Sequence, residues 1–434
     1  MANAMHLNDR NDSEKGSYEG RNKMRKIIAL ILVLAFAASI TACGSAEQDE
    51  KEKSKGKTGE LTASMTAGTS QPKTPDEAFL QAYGTFAVNL FKETRKSGAS
   101  FVSPYSAYAA LAMVLNGADG QTLSEMLTVL GLSEKDMNEF LLFMAERYNK
   151  ETVVSVANSV WMNQKFADNI KESFLQACVD YYRASVFSAD FGKQKTLHDM
   201  NKWVEEKTLE RIHELVTHLE DSTVMILINC LTFDGKWKTP FTEGATREHA
   251  FTGRNGTVRN VMMMSGEAEI YYLGQNYEAI EKQYENGFAF RAYLPKEGIS
   301  IDDLVAGLTA EQLVNPGEYD GKAILFMPKI HYESDPMDLI PPLAAMGMGS
   351  AFGTNADFSR MTENCPVMIS EVIQKTFLDI DEEGTKAAAA TEIGMKCYAA
   401  APEPVNHIVT LDRPFLYMII DETTQTPLFI GVYE

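Results

Sequence analysis

Residues 385–397 constrain this chain more than any other stretch. Read with a period of two, Thr385, Ala387, Ala389, Thr391, Ile393, Met395 and Cys397 fall on one face, and Lys386, Ala388, Ala390, Glu392, Gly394 and Lys396 on the other. All three charges lie on the second face, the pattern of a strand buried on one side. The composition pulls the other way. Ala387, Ala388, Ala389 and Ala390 run consecutively, and Val and Ile are nearly absent, so intrinsic preference favours helix or coil. A segment patterned for a sheet but weakly disposed to form one reads as a segment with two conformations, and small residues on its buried side let it slide between strands already in place. The alternative is an Ala-rich surface helix closed by Pro402 and Pro404.

The remainder of the chain supplies a fold for such a strand to enter. Phe79, Tyr83, Phe86, Ala87 and Leu90 recur at helical spacing and open the folded part at Asp76. Ser103-Pro104 then starts a helix over 105–115, with Ser as cap and Pro in the first turn. Residues 126–132, 137–148, 174–182 and 197–212 read as further helices, and 153–162 as a strand. From 224 onward the pattern turns to strands: 224–233, 256–264, 269–273, 288–293, 323–331, 367–381, 408 and after, and 428–433, with helices at 304–313 and 339–346. Helices early and strands late predict an α+β domain over 76–434.

Upstream of Asp76 the sequence has a different character. Residues 1–23 are polar and read as the product of an upstream start codon or a cloning scar, with Met24 the natural start. Arg25 and Lys26 precede an apolar run from Ile27 to about Ile40, too short to span a membrane comfortably and suited to a secretory signal ending at 42. Ile40-Thr41-Ala42-Cys43 resembles a bacterial lipobox, which implies cleavage before Cys43 and lipid on its sulfur. Residues 43–75 carry charge, Ser, Thr and Gly and almost nothing large and apolar, so they are expected to form a flexible tether reaching ~30 Å. Anchor and tether together place the domain at a bacterial cell surface or outside the cell.

Several function classes fall away. The formal net charge of −20 argues against nucleic-acid binding. Cys43, Cys178, Cys230, Cys365 and Cys397 form no CxxC pair and no zinc spacing, and Cys178 and Cys230 are expected to be buried free thiols. The seven histidines are scattered, and HExxH, P-loop and GxSxG are all missing. Neither a metal nor a cofactor is expected, and no catalytic constellation is visible.

Gly384-Thr385, followed by Ala387 to Ala390 and Thr391 just after Asp381-Glu382-Glu383, resembles the reactive-loop hinge of serpins. So do Asp412-Arg413-Pro414-Phe415 and Phe429-Ile430-Gly431-Val432 downstream, and upstream FVSPYSAYAALAMVLNGADGQT (101–122), NKWVEEKT (201–208), LINCLTFDGKWKTPF (227–241), FMPKI (326–330) and ADFSRM (356–361), in the family's order. The resemblance covers roughly 76–434. It implies a single domain with helices packed on a large central sheet, further sheets, and an exposed reactive-centre loop at about 382–404.

It also implies a function: inhibition of serine endopeptidases as a suicide substrate. The protease forms an acyl-enzyme on the loop, the cut loop enters the sheet as a new strand, and the distorted enzyme cannot deacylate. The expected partner is a target serine protease in a covalent complex with a monomeric inhibitor, and the membrane is engaged only through the lipid. The hinge residues implied are Glu382, Gly384, Thr385, Ala387, Ala388, Ala389, Ala390 and Thr391. Family spacing counted forward from Gly384 puts the reactive bond at Tyr398-Ala399, which suits a chymotrypsin-like pocket. A shifted register offers Cys397 or Ala399 to elastase-like pockets, and Lys396 to trypsin-like ones. Counted back from Pro414 the bond falls at Glu403-Pro404, where proline would block cleavage. Ser103, Ser106 and Asn229 match positions beneath the opening sheet. In ISEVIQK the family's usual histidine is replaced by Gln374, which bonds but does not titrate near neutral pH, so sheet opening is expected to lack a histidine-linked step. Trp203 and Trp237 are expected only to pack. The competing readings are a non-inhibitory serpin and, from another class, a surface solute-binding lipoprotein, which would need alternating βα units.

Overall fold

The computed structural model describes residues 59–150, 153–167, 169–385 and 407–434. Strands are numbered β1 to β19 and helices α1 to α10 in chain order, and four groups of strands organise the domain. The first sheet comprises β1 (Gly59–Glu60), β3 (Val154–Asn163), β4 (Ser185–Ala189), β5 (Met225–Phe233), β14 (Met337–Asp338) and β15 (Glu371–Gln374), in the order β1-β4-β3-β5-β15-β14. The second contains β2 (Phe101–Val102), β8 (Ile270–Leu273), β9 (Tyr277–Gln283), β10 (Phe288–Pro295), β11 (Glu318–Tyr319), β18 (Phe415–Asp421) and β19 (Thr426–Tyr433), in the order β11-β8-β9-β10-β18-β19-β2. The third holds β6 (Arg247–Thr252), β7 (Val258–Ala268), β12 (Ala323–Pro328) and β17 (His407–Thr410), in the order β17-β12-β7-β6. Finally β13 (Ile330–Glu333) and β16 (Phe377–Ile380) form a two-stranded sheet.

Helices α1 (Glu77–Lys96), α2 (Pro104–Leu115), α3 (Gly120–Leu130), α4 (Glu134–Lys150), α5 (Gln164–Ala167), α6 (Glu172–Tyr182) and α7 (Gln194–Lys207) all precede β5, and α8 (Ile301–Gly307), α9 (Ala310–Val314) and α10 (Ile340–Leu343) are short. This is the expected α+β arrangement. Helix α1 starts where the apolar periodicity starts, with Asp76 accepting from the Phe79 N–H. Helix α2 is buried along its whole length, which explains its all-round apolar sequence. Ser103 caps it and Pro104 occupies the first turn.

Several boundaries differ from the sequence reading, each for an identifiable reason. The helix expected over 304–313 is two helices, because Thr309 builds its own capping box with Gln312 while Ser300 does the same with Asp303. The strand expected over 367–381 breaks at Lys375-Thr376, where Thr376 exchanges backbone and side-chain bonds with Ser334 and the chain leaves the first sheet for the β13 pairing. Strands β6 and β9 were missed. β6 is almost wholly exposed, and β9 carries Glu281 and Lys282 inward, against the rule that charges face out.

The tether expected over 43–75 is corrected in its second half. Gly59 and Glu60 pair antiparallel with Ser188 and Phe187, extending the first sheet beyond β4. The Leu61 N–H donates to Val186 O at 2.7 Å, and the Val186 N–H donates to Thr62 Oγ1 at 3.1 Å. Further on, the Gly68 N–H donates to Asp180 Oδ1, Gln176 Nε2 to Thr66 O, and the Lys73 N–H to Glu139 O. These residues lack a core of their own, but an open sheet edge offers backbone groups that any sequence can pair. Deleting residues 59–72 re-exposes the edge of β4 and removes these bonds except that of Lys73. It is expected to lower Tm by about 2–5 °C, read by differential scanning fluorimetry against the intact protein.

Candidate functional site

The first sheet is incomplete along one line. Strand β5 pairs antiparallel with β3 through its whole length. On its other side it pairs parallel with β15 only from Ile226 to Asn229, which sit opposite Glu371 to Gln374. After Gln374 the chain departs, and its next strand, β16, pairs with β13. Among the described residues, the Cys230–Phe233 half of β5 therefore has no ladder partner on that side, although every residue of β5 is buried. The result is a seam in the interior of a sheet, open at the end where β16 runs on into the hinge.

The hinge sits at the mouth of that seam. The chain turns back within four residues of β16, so that Thr385 bridges antiparallel to Ile380 and Gly384 bridges to Lys236. The Thr385 N–H donates to Gly235 O at 2.8 Å, and the Asp381 N–H to Gly384 O at 2.9 Å. Thr385 is buried, its Oγ1 2.7 Å from Tyr284 Oη. Gly384 has φ +154°, and a Cβ there would overlap the carbonyl oxygen of Gly235, so glycine alone fits. Glu382 and Glu383 are held by their carbonyls, which accept from the N–H groups of Phe241 and Trp237, both at 2.9 Å.

A cluster of aromatic and charged groups backs the hinge. Trp237 stacks on Tyr284 at 4.1 Å between ring centroids. Expected only to pack, it also donates its Nε1–H to Asp381 O at 2.9 Å. Trp203 is half-buried against the edge of Phe187. Lys282 is fully buried over the Phe241 ring, with Nζ 2.8 Å from both Thr239 O and Glu267 O. Burial pushes its ammonium down to about 8 against the pull of Glu269 and Glu267. Glu382 binds Lys329 Nζ at 2.6 Å and Thr246 Oγ1 at 2.7 Å. Burial alone would raise its carboxyl, but the bonds from Lys329 and Thr246 outweigh that and hold it below the ordinary glutamate range. Tyr284, Gly235, Lys282, Lys329 and Thr246 were not singled out from sequence. For Lys329 the signal was present in FMPKI, without a partner to give it meaning.

Where the ladder between β5 and β15 ends, a neutral polar pair spans from sheet to helix. Gln374 Oε1 accepts from the Ser103 N–H and its Nε2 donates to Ser103 O, both at 2.9 Å. Ser103 Oγ donates to Leu428 O at 2.8 Å. Gln374 lies opposite Asn229 in the ladder, but Asn229 Nδ2 bonds to Asn158 instead. Ser106 contributes its N–H to Ser103 Oγ at 3.4 Å, while its own hydroxyl has no hydrogen-bond partner among the described residues. Ser103 and Gln374 are thus brought together directly, and Ser106 and Asn229 stand beside them. The remaining expected site residues, Ala387, Ala388, Ala389, Ala390, Thr391, Lys396, Cys397, Tyr398, Ala399 and Cys43, lie outside the described residues. Cys178 and Cys230 are buried free thiols, and burial pushes Cys230 up to about 12. Among the described residues no group of three or more His, Cys, Asp or Glu side chains converges as a metal site would require. What the arrangement does present is a buried strand edge, Cys230–Phe233, with no ladder partner on one side among the described residues.

Two substitutions probe the mouth of the seam. Gly384→Ala is expected to cost roughly 2 kcal/mol through the clash with Gly235 and to lower the urea midpoint, whereas Gly244→Ala, with nothing near its Cβ position, leaves it unchanged. Glu382 carries a lowered carboxyl pKa, so its stabilisation is complete above the ordinary value of 4.5 and is lost as pH falls through the folded value. The Tm difference between wild type and Glu382→Gln is therefore expected to be largest near pH 7 and to close as pH falls below 4.5. A difference constant over that range would assign the pairing no charge component.

A seam with a glycine-threonine hinge at its mouth can be compared with known proteins. The family model described as "Serpin (serine protease inhibitor)" matches residues 81–434. An uncharacterized serpin-like protein of Thermococcus kodakarensis is 30% identical over 82% of this chain and 85% of its own length. Alpha-1-antiproteinase F of Cavia porcellus is 31% identical over 82% of this chain and 91% of its own. Among solved structures, the thermophilic serpin tengpin in its native state superposes with a TM-score of 0.78 at 34% identity, covering 87% of this chain and 99% of tengpin. The chain belongs to the serpin family.

Proposed function

We propose that this serpin inhibits chymotrypsin- or elastase-like serine endopeptidases by offering its loop as a substrate and trapping the acyl-enzyme through insertion of the cut loop into the seam. The observation that carries this reading is the placement of Thr385: the first residue of the alternating segment is already docked between the end of β5 and the end of β16. Insertion then continues a ladder that has begun. Among the residues that follow, the face sharing parity with buried Thr385 begins with small side chains, Ala387 and Ala389, before Thr391, Ile393, Met395 and Cys397. About a dozen residues at ~3.3 Å each span on the order of 40 Å. A protease carried that distance while esterified to the chain would have its deacylation geometry disturbed, and that geometry tolerates only fractions of an ångström. The reactive bond is assigned to Tyr398-Ala399, with Lys396 and Cys397 as alternatives. The protein acts as a monomer outside the membrane, tied to it through lipid on Cys43. Among the described residues no helix is long and apolar enough to cross a membrane.

The alternative, a non-inhibitory serpin that is only cleaved, is separated by the same experiment. Incubation with chymotrypsin or pancreatic elastase is expected to yield an SDS-stable complex and a released C-terminal peptide beginning at Ala399. A peptide beginning at Cys397 moves the reactive bond to Lys396. The cleaved protein is expected to melt above the intact one, because the loop completes the ladder of β5. Clean cleavage with neither a stable complex nor a higher Tm refutes the inhibitory reading.

A further inference from the structure

The two bridges that seat the hinge also fix a register. Gly384 bridges Lys236 and Thr385 bridges Ile380, both antiparallel, so a strand continuing from Thr385 without a bulge has a determined neighbour on each side. Lys386 would lie opposite Asp234 and Asp379, Ala390 opposite Cys230 and Lys375, Glu392 opposite Ile228 and Ile373, and Gly394 opposite Ile226 and Glu371. The two sides agree without adjustment, because Ile226 and Ile228 already pair with Glu371 and Ile373 in the closed ladder. A strand in this register simply enters between existing pairs.

Charges on the flanking strands match that register. Along 371–380 the even-numbered residues are buried and the odd-numbered ones half-buried, so Glu371, Lys375 and Asp379 share a face with Ile373. Ile373 packs in one cluster with Ile226, Ile228 and Cys230, and Asp234 continues the parity of those three beyond the end of β5. Thr385 is turned the other way, to Tyr284, so Lys386, Glu392 and Lys396 belong to the face of Asp234 and Asp379. Lys386 then meets two carboxylates directly. Glu392 lies one pair from Lys375, and Lys396 one pair from Glu371, diagonal separations that long side chains reach. Residues 224–234 and 369–380 carry no other charge. Entry two residues deeper would set Glu392 opposite Glu371, like charge against like. The acceptors have exchangeable partners: Arg211 Nη2 lies 3.8 Å from Asp234 Oδ2, His331 Nδ1 3.4 Å from Asp379 Oδ1, and Lys375 Nζ 2.9 Å from Glu333 Oε1. Each pair has a solvent-accessible member, so exchanging it costs little.

We propose that Asp234, Asp379, Lys375 and Glu371 form a charge-coded track that fixes the register of the entering strand, with Asp234 and Asp379 receiving its first side chain, Lys386. The occupant is the segment 386–396 of the same chain, whose connection to the seated Thr385 delivers it to the track. A second copy carries the same charges without that connection. The track rests on the inhibitory reading above and adds what sets the early rate of entry. It acts after cleavage, so it governs the race between insertion and hydrolysis and leaves recognition of the protease alone.

The test is a charge swap. The variants are Lys386→Glu and Asp379→Lys, singly and together, with Lys386→Gln and Asp379→Asn as milder changes should a reversal prevent folding. With chymotrypsin, either single reversal is expected to shift the partition from trapping to hydrolysis by about fivefold, equivalent to about 1 kcal/mol. The double variant is expected to recover most of the loss, which a merely structural defect would not allow, and high salt to narrow the differences. A second arm needs no protease. A synthetic peptide with the sequence of residues 385–397 is mixed with the intact protein, and its uptake is read as a rise in Tm. Wild-type protein is expected to take up the Lys386→Glu peptide about fivefold more slowly than the unaltered one, and the Asp379→Lys protein to reverse that preference. Trapping by wild type with a partition that no variant changes by more than about twofold overturns the track and leaves the inhibitory reading standing. Charge-dependent peptide uptake without any trapping leaves the track standing and removes the inhibitory reading. If wild type neither traps protease nor takes up peptide, both are overturned. Polymers by light scattering whose formation follows the charge swap, while trapping does not, assign the track to a second copy and overturn the proposal.

Discussion

The structure depends on an interrupted ladder. Strand β5 is buried along its length, yet beyond Asn229 its outer edge has no strand partner among the described residues. Buried strand edges are costly to leave open, because backbone N–H and C=O groups each need a partner. The domain accommodates this by diverting the chain after Gln374 to β13 and by turning the hinge into the opening. Every distinctive feature near the seam serves that diversion. The Ser334–Thr376 bonds fix where β16 turns away, Gly384 lets the backbone touch Gly235, and Trp237 holds Asp381 O in place.

Charges near the mouth follow the same logic. Glu382 and Lys329 neutralise each other at the rim, where solvent is near and the pairing is reversible. Lys282 lies deeper, with backbone carbonyls as hydrogen-bond acceptors and two aromatic faces beneath its ammonium. A buried cation held this way fixes geometry more than it adds stability, since desolvation offsets much of the attraction. It ties the segment carrying Trp237 and Phe241 to β7 and β9, and that segment supplies the N–H groups that hold the hinge.

Much of this was legible in the sequence because the hinge violates a local rule. An alternating pattern in alanine is inconsistent between levels, and such inconsistencies mark functional segments. Ser103-Pro104 marked the start of the central helix, because capping chemistry is local. The rest was not local. Residues 59–75 are polar and read as a tether, yet an open edge at β4 accepts backbone regardless of side chain. β9 was missed because Glu281 and Lys282 face inward, and only the fold supplies Arg291 and the carbonyls that satisfy them. Trp237 read as packing because its hydrogen bond joins residues 144 positions apart.

The magnitudes indicate where the barrier to strand entry lies. Parting β5 from β15 below the seam breaks the short ladder from Ile226 to Asn229 and disturbs the Gln374–Ser103 pair. At about 1 kcal/mol net per hydrogen bond that is a few kcal/mol. A strand of about a dozen residues entering the seam forms roughly as many ladder bonds but must give up about 1–2 kcal/mol of backbone freedom per residue. Hydrogen bonding alone therefore would not drive the proposed entry, which would also need the burial of the entering strand's own apolar side chains, Ile393 and Met395 among them. While the chain is intact, His407 is fixed in the third sheet beside Ala323, so the segment between Thr385 and His407 is held at both ends. Cutting it frees one end and removes that restraint without changing a single contact at the seam. Under the proposed inhibitory reading, the intact chain between Thr385 and His407 is one restraint on strand entry and the short β5–β15 ladder is the other.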